Sequence, residues 1–160
     1  AIYAGLMAGQ PFSYTGEQYS ATPVTELVPP PPVQRPHPPV WVVGAMHLGR
    51  HAQPSLDRAA RWEGLLPAVV DPAFRPITIE ETRRAVDHVF SRRAEWGLPT
   101  EGYDVVLEGD TFGGHRSPTG TPAEWAAAGA SWWVESWWDL PDAPESVAEL
   151  RRRIAGGPHR

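Results

Sequence analysis

Apolar residues along this chain gather into four short runs, each followed by a turn-rich loop and then by a stretch with helical spacing. The runs are residues 40–43, 65–70, 103–107 and 130–135. The first two contain no polar residue, which is how strands covered on both faces of a parallel sheet read. Between the runs lie the helix signals. Pro54 suits the first turn of a helix over residues 55–62, and Gly64 is expected to close it. Thr78 and Glu81 have the spacing of a capping box, after which Ile79, Val86, Val89, Phe90 and Ala94 share one face up to Gly97. Thr121, Pro122 and Glu124 repeat the signature before Gly129. Asp142 and Glu145 predict a third box, followed by the stripe Val147, Leu150 and Ile154 and a stop at Gly156.

Upstream, the pattern is different. Residues 1–8 read as the last turns of a helix ended by Gly9. Ile2, Tyr3, Leu6 and Met7 already keep helical spacing with no cap before them, so the chain is expected to continue upstream. Residues 12–14 and 18–20 flank Thr15 and Gly16 as a small hairpin. Residues 23–39, with the run from Pro29 to Pro32, predict a stiff extended connector.

Strands alternating with helices define an α/β fold with its ligand chemistry at the carboxyl ends of the strands. Four βα units are half of what closes a TIM barrel, so half a barrel is expected. An open sheet with right-handed crossovers fits the same alternation. The expected division is residues 1–39 (helix end, hairpin and connector) and residues 40–160 (one incomplete domain of four βα units).

With 160 residues, the chain has the size of a single domain. Its net charge of −5 argues against nucleic acid, which calls for a basic footprint. The absence of cysteine excludes disulfides, thiolate nucleophiles and Cys-based metal sites. No apolar run has the length of a membrane span, and residues 1–9 are too short and lack the basic flank of a signal peptide. The cytoplasm is the default compartment.

Candidate chemistry is sought just after each strand. Gly44 and Ala45 are small enough to admit a ligand to the backbone. The helix start near Ser55 offers N–H groups and a positive dipole end to a phosphate. The plainer alternative is that Gly44 permits a tight turn. Glu108, Asp110 and Glu135 end neighbouring strands and are expected either to converge for acid–base work or to be solvated. His47 and His51 are four apart, but Gly49 lies between them and no third ligand has the right spacing, so no metal is expected. Trp132, Trp133, Trp137 and Trp138 read mainly as core packing, with a sugar-binding platform as an outside reading. Arg151, Arg152 and Arg153 read as a solvated helix end. No phosphate-binding loop, nucleophile elbow or dinucleotide fingerprint is present.

Three blocks in order carry a resemblance. They are Gly16-Glu-Gln-Tyr19, Pro39-Val-Trp-Val-Val-Gly44 and Arg58-Ala-Ala-Arg-Trp-Glu-Gly64. Tyr103-Asp-Val-Val-Leu-Glu-Gly109 and Ala128-Gly-Ala-Ser-Trp-Trp-Val-Glu135 extend it. Together these blocks resemble the luciferase-like flavin-dependent oxidoreductases, over nearly the whole chain but only the C-terminal half of that family's domain. The resemblance implies the C-terminal half of a TIM (β/α) barrel that binds FMN or the deazaflavin F420 and oxidises or reduces a small organic substrate. It implies cofactor binding at Gly44, Ala45 and Met46, and next at Pro67 and Ala68, and it assigns no catalytic residue. The rival expectation is a non-catalytic half-barrel that self-associates as a homo-oligomer or pairs with a missing N-terminal half.

Overall fold

The computed structural model describes residues 2–9, 11–23, 30, 32–110, 118–137 and 140–157. Pro29 and Pro31 of the proline run, the loop positions Thr111 and His115, Trp138 and His159 lie outside the described residues. The chain divides into two compact units, Ala1–Val40 and Trp41–Arg160.

The first unit contains helix α1 (Ile2–Ala8) and a two-stranded antiparallel hairpin, β1 (Tyr14–Thr15) with β2 (Ser20–Ala21). Gly9 ends α1 with φ of 119°, a conformation that favours glycine. The hairpin turn spans residues 16–19, closed by the Gly16 N–H donating to the Tyr19 carbonyl at 2.9 Å. The strands therefore sit slightly later than the apolar pattern predicts.

The second unit is a four-stranded parallel sheet in the order β3 (Trp41–Met46), β4 (Gly64–Val69), β5 (Asp104–Gly109), β6 (Trp132–Glu135). The helices are α2 (Pro54–Ala59), α3 (Ile79–Glu95), α4 (Pro122–Ala127) and α5 (Pro144–Gly156). The β3–β4 register pairs Val42 with Leu65, Gly44 with Pro67 and Met46 with Val69. With strand alternation, this puts Val42, Gly44, Met46, Leu65, Val105 and Leu107 on one face. Met46, Leu65 and Val105 pack there with Leu56 and Ala59 of α2 and Ala85, Val86 and Val89 of α3. Trp125 of α4 packs with Leu107 and Trp133 farther along the same face. Each large side chain so buried contributes about 1.5–3 kcal/mol. No described helix is long and apolar enough to cross a membrane.

Two of the three expected capping boxes form. The Thr78 hydroxyl accepts from the Glu81 N–H while the Glu81 carboxylate accepts from the Thr78 N–H, and Thr121 with Glu124 does the same. The third does not form. Pro144 takes the first turn of α5, Ala143 becomes the cap residue, and no side chain caps the helix. Helix α2 also stops earlier than its expected end at residue 62. The Ala59 carbonyl accepts from the Tyr103 hydroxyl, and the Ala60 and Trp62 carbonyls accept from the buried Arg93 guanidinium. Side chains thus take the place of further helical turns, and Gly64 opens β4 instead of closing a helix. Ala94, expected on the apolar face of α3, is exposed.

Candidate functional site

Helices α2, α3 and α4 pack on the face just described, and among the described residues of this unit the side chains of the other face line up in rows across the strands. Trp41, Gly64 and Asp104 form the row at the amino ends. Val43, Leu66, Val106 and Trp132 follow, and Ala45, Ala68, Glu108 and Val134 lie toward the carboxyl ends. The amino-end row is closed by an aromatic clasp. Trp41 Nε1 donates to Asp104 Oδ2 at 3.0 Å, and Trp132 Nε1 donates to Asp104 Oδ1 at 2.8 Å. The two indole rings, on strands separated by β4 and β5, come within 5.7 Å of each other. Side chains of the two outer strands can meet over the inner ones only if the sheet curls toward this face. Gly64 makes the crossing possible, because a β-carbon there would stand 2.4 Å from Trp41 Cδ1. The clasp seals the amino end, and Val106 beneath it is only 1% exposed.

What remains open is the carboxyl half of the concave face. Ala45 and Ala68 are register partners and present two methyl groups side by side. The β4–β5 ladder covers only Gly64 and Leu65 and stops short of Pro67, which has no N–H to donate. Glu108 on β5 completes the rim, its Oε1 accepting from the Ser136 hydroxyl at 2.6 Å.

The loop after β3 is held rigidly. The buried Gln53 side chain accepts from the His47 N–H at 2.8 Å and donates to the His47 and Arg50 carbonyls at 2.8 and 2.7 Å. Ser55 Oγ accepts from the Ala45 N–H at 3.0 Å. Behind the loop, Asp57 of α2 meets His88 Nε2 at 2.8 Å and accepts from Arg92 Nε of α3 at 2.9 Å. The Arg92 hydrogen bond, assisted by His88, holds the Asp57 carboxyl below its ordinary range. This network ties α2, and with it the loop, to the longest helix of the unit.

Of the residues singled out for cofactor contact, Ala45 and Ala68 face the open side. Gly44, Met46 and Pro67 face the helix layer, since β3 runs on to Met46 and does not end at Gly44. A β-carbon at Gly44 would stand 2.4 Å from Leu65 Cδ1 and 2.8 Å from Leu56 Cδ2, so the glycine makes room for helix packing. Glu108 and Glu135 do not converge. Glu135 shares its face with Trp133, from whose Nε1 it accepts at 3.0 Å, and Arg153 lies 3.7 Å away. Among the described residues no group of three His, Asp or Glu side chains is placed to hold a metal. The clasp and the Gln53 anchor escape a reading of the sequence, for both depend on register and loop closure. The one local trace is that Trp41, Gly64 and Asp104 each open a strand.

Comparison with protein-family models, with curated proteins and with solved structures yields no match for the chain.

Proposed function

We propose that this chain forms half of a TIM-barrel oxidoreductase, with FMN or F420 bound at the carboxyl-end rim beside a small organic substrate. The observation that carries the reading is the curled parallel sheet in sequential order with its helices on the convex face. A barrel arc requires that arrangement, whereas a doubly wound sheet places helices on both faces. The order of family-like blocks along the sequence supplies the cofactor. A cytoplasmic location belongs to the same proposal.

The open half of the concave face suits the flat part of such a cofactor. Ala45 and Ala68 provide a smooth floor, and Val43 and Leu66 continue it toward the clasp. Gly44, Met46 and Pro67 act from behind by fixing the strands that carry the floor. The Ala45 N–H is already bound to Ser55, so a cofactor phosphate at this corner falls to the loop beyond Met46, where the exposed Arg50 stands. When bound, the cofactor ring supplies hydride transfer. The chain's own part is to orient the ring, exclude water beneath it and hold the rim in place.

Titration of the protein with FMN and with F420, followed by quenching of cofactor fluorescence, tests this. Saturable one-to-one quenching that disappears in Ala68→Trp is expected. A folded protein that quenches neither cofactor refutes it. A second reading, a non-catalytic half-barrel that pairs with a copy of itself or with another half, is favoured by the exposed Trp41, Val43, Trp132 and Val134 on the two outer strands.

A further inference from the structure

We infer that His47 is the side chain that meets the ring edge of a ligand on the concave floor, so that the ligand presents an acceptor oxygen there. The inference rests on the oxidoreductase reading and names one contact within it, with a carbonyl edge of the ring and not with the phosphate tail.

The backbone hydrogen bonds fix the face on which His47 stands. Along a strand of a parallel sheet, alternate residues turn their N–H and C=O groups to the same side, and the side chains of those residues share a face. Met46 turns toward β4, its carbonyl accepting from the Val70 N–H at 2.9 Å. Val43, Ala45 and His47 turn to the outer edge. There the Ser55 hydroxyl accepts from the Ala45 N–H at 3.0 Å and donates to the Val43 carbonyl at 3.4 Å. The Gln53 carboxamide serves His47 as a neighbouring strand would: Oε1 accepts from its N–H and Nε2 donates to its carbonyl, each at 2.8 Å. The chain is therefore still extended at His47, one residue past β3, and the imidazole shares the concave face with Val43 and Ala45. With Val70 it forms the next row beyond Ala45 and Ala68.

In the open half of this face, Val43, Ala45, Leu66, Ala68 and Val70 offer no polar side-chain atom, so His47 is the polar group that this corner of the floor brings to a ligand. Its ring is half-buried and makes no hydrogen bond or ion pair with a described residue. Beneath it, three hydrogen bonds from the buried Gln53 side chain hold the main chain of the loop. A fixed backbone carrying a ring with an unused N–H is the form of a preorganised ligand contact.

Spacing assigns the contact to the ring. His47 follows Ala45 by two extended residues, roughly 6–7 Å along the strand, which is within the span of one fused ring system lying on the Ala45 and Ala68 methyl groups. A neutral imidazole keeps one N–H to donate in either tautomer, which suits a carbonyl oxygen. FMN and F420 both carry carbonyl groups on one edge of the ring. The phosphate tail has a different partner in the exposed Arg50, farther along the loop.

Riboflavin has the ring without the phosphate and so separates the two ends of the ligand. Fluorescence titration with riboflavin, FMN and F420 should give dissociation constants raised roughly three- to tenfold in His47→Leu, and His47→Gln, which keeps a donor, should lose less. Both variants should keep the parent's circular dichroism and melting temperature, because Gln53 holds the backbone of residue 47 and not its ring. The imidazole NMR signals of His47, assigned by their absence in His47→Gln, should shift along the riboflavin saturation curve and stay in place with inorganic phosphate. Constants unchanged in His47→Leu overturn the inference. So does a loss confined to FMN and F420 with riboflavin unaffected, or a His47 signal that answers to phosphate alone, because the contact then lies with the tail. Each of those results leaves the oxidoreductase reading standing. A folded parent protein that quenches none of the three removes that reading, and this contact with it.

Discussion

Gly44→Ala separates two explanations for a glycine at the carboxyl end of β3, room for helix packing and room for a ligand. The new methyl group would stand 2.4 Å from Leu65 Cδ1, 2.8 Å from Leu56 Cδ2 and 3.5 Å from Ala59 Cβ. All three neighbours are fully buried, so neither leucine can swing into solvent to relieve the overlap. Over-packing of this kind costs about 1–3 kcal/mol. Alanine also restricts the unfolded chain, which returns about 0.4–1 kcal/mol because the backbone here is not in the left-handed region. The net loss is therefore at most about 2.6 kcal/mol, or up to roughly 13 °C in melting temperature for a unit of this size. Thermal and urea unfolding followed by circular dichroism would read it. Adding Leu65→Val removes one of the clashing methyl groups, so the double variant should lose less than the sum of the single losses. Quenching of FMN or F420 fluorescence, where present, should be unchanged. A Gly44→Ala protein that melts with the parent but has lost cofactor binding would refute the packing account.

The other predictions concern the joints between elements. Glu81 receives two hydrogen bonds from Arg75 and one from the Thr78 N–H, and chiefly the Arg75 pair lowers its pKa to about 2. A lowered carboxylate pKa contributes stability above the ordinary value and loses it as pH falls from about 4.5 through about 2. Glu81→Gln should therefore cost roughly 2–3 kcal/mol at pH 7, and its urea midpoint should approach the parent's near pH 2; a gap independent of pH would count against the ion pair. Arg93 donates to the carbonyls of Ala60, Trp62 and Pro99 and lies 4.4 Å from the centre of the Tyr103 ring. Lysine cannot reproduce that fork, so Arg93→Lys should lose about 2–4 kcal/mol, and an unchanged unfolding midpoint would deny Arg93 its role in ending α2. Thr78→Ala and Thr121→Ala should each cost about 1 kcal/mol, whereas Asp142→Ala should stay within about 0.5 kcal/mol of the parent. An equal loss for Asp142→Ala would mean that α5 is capped by Asp142 after all.

The division between what the sequence reveals and what it hides follows the range of each interaction. Capping boxes at Thr78 and Thr121 are legible because both partners lie within one turn, and Asp142 misleads only because Pro144 moves the start of the helix. The end of α2 is not legible, for Arg93 and Tyr103, which take its last carbonyls, come from far along the chain. The clasp is hidden for the same reason, since Trp41, Asp104 and Trp132 meet only once three strands are in register. The candidate site falls between these cases. A run such as Val-Val-Gly-Ala-Met, apolar throughout, announces a strand but not which side of it faces inward. Extended backbone allows only every second residue to reach one face. Gly44, Ala45 and Met46 therefore cannot all touch the same ligand with their side chains, nor can Pro67 and Ala68. The register assigns the concave face to Ala45 and Ala68 and turns the other three toward the helices, where Leu56 and Leu65 account for the missing side chain at Gly44.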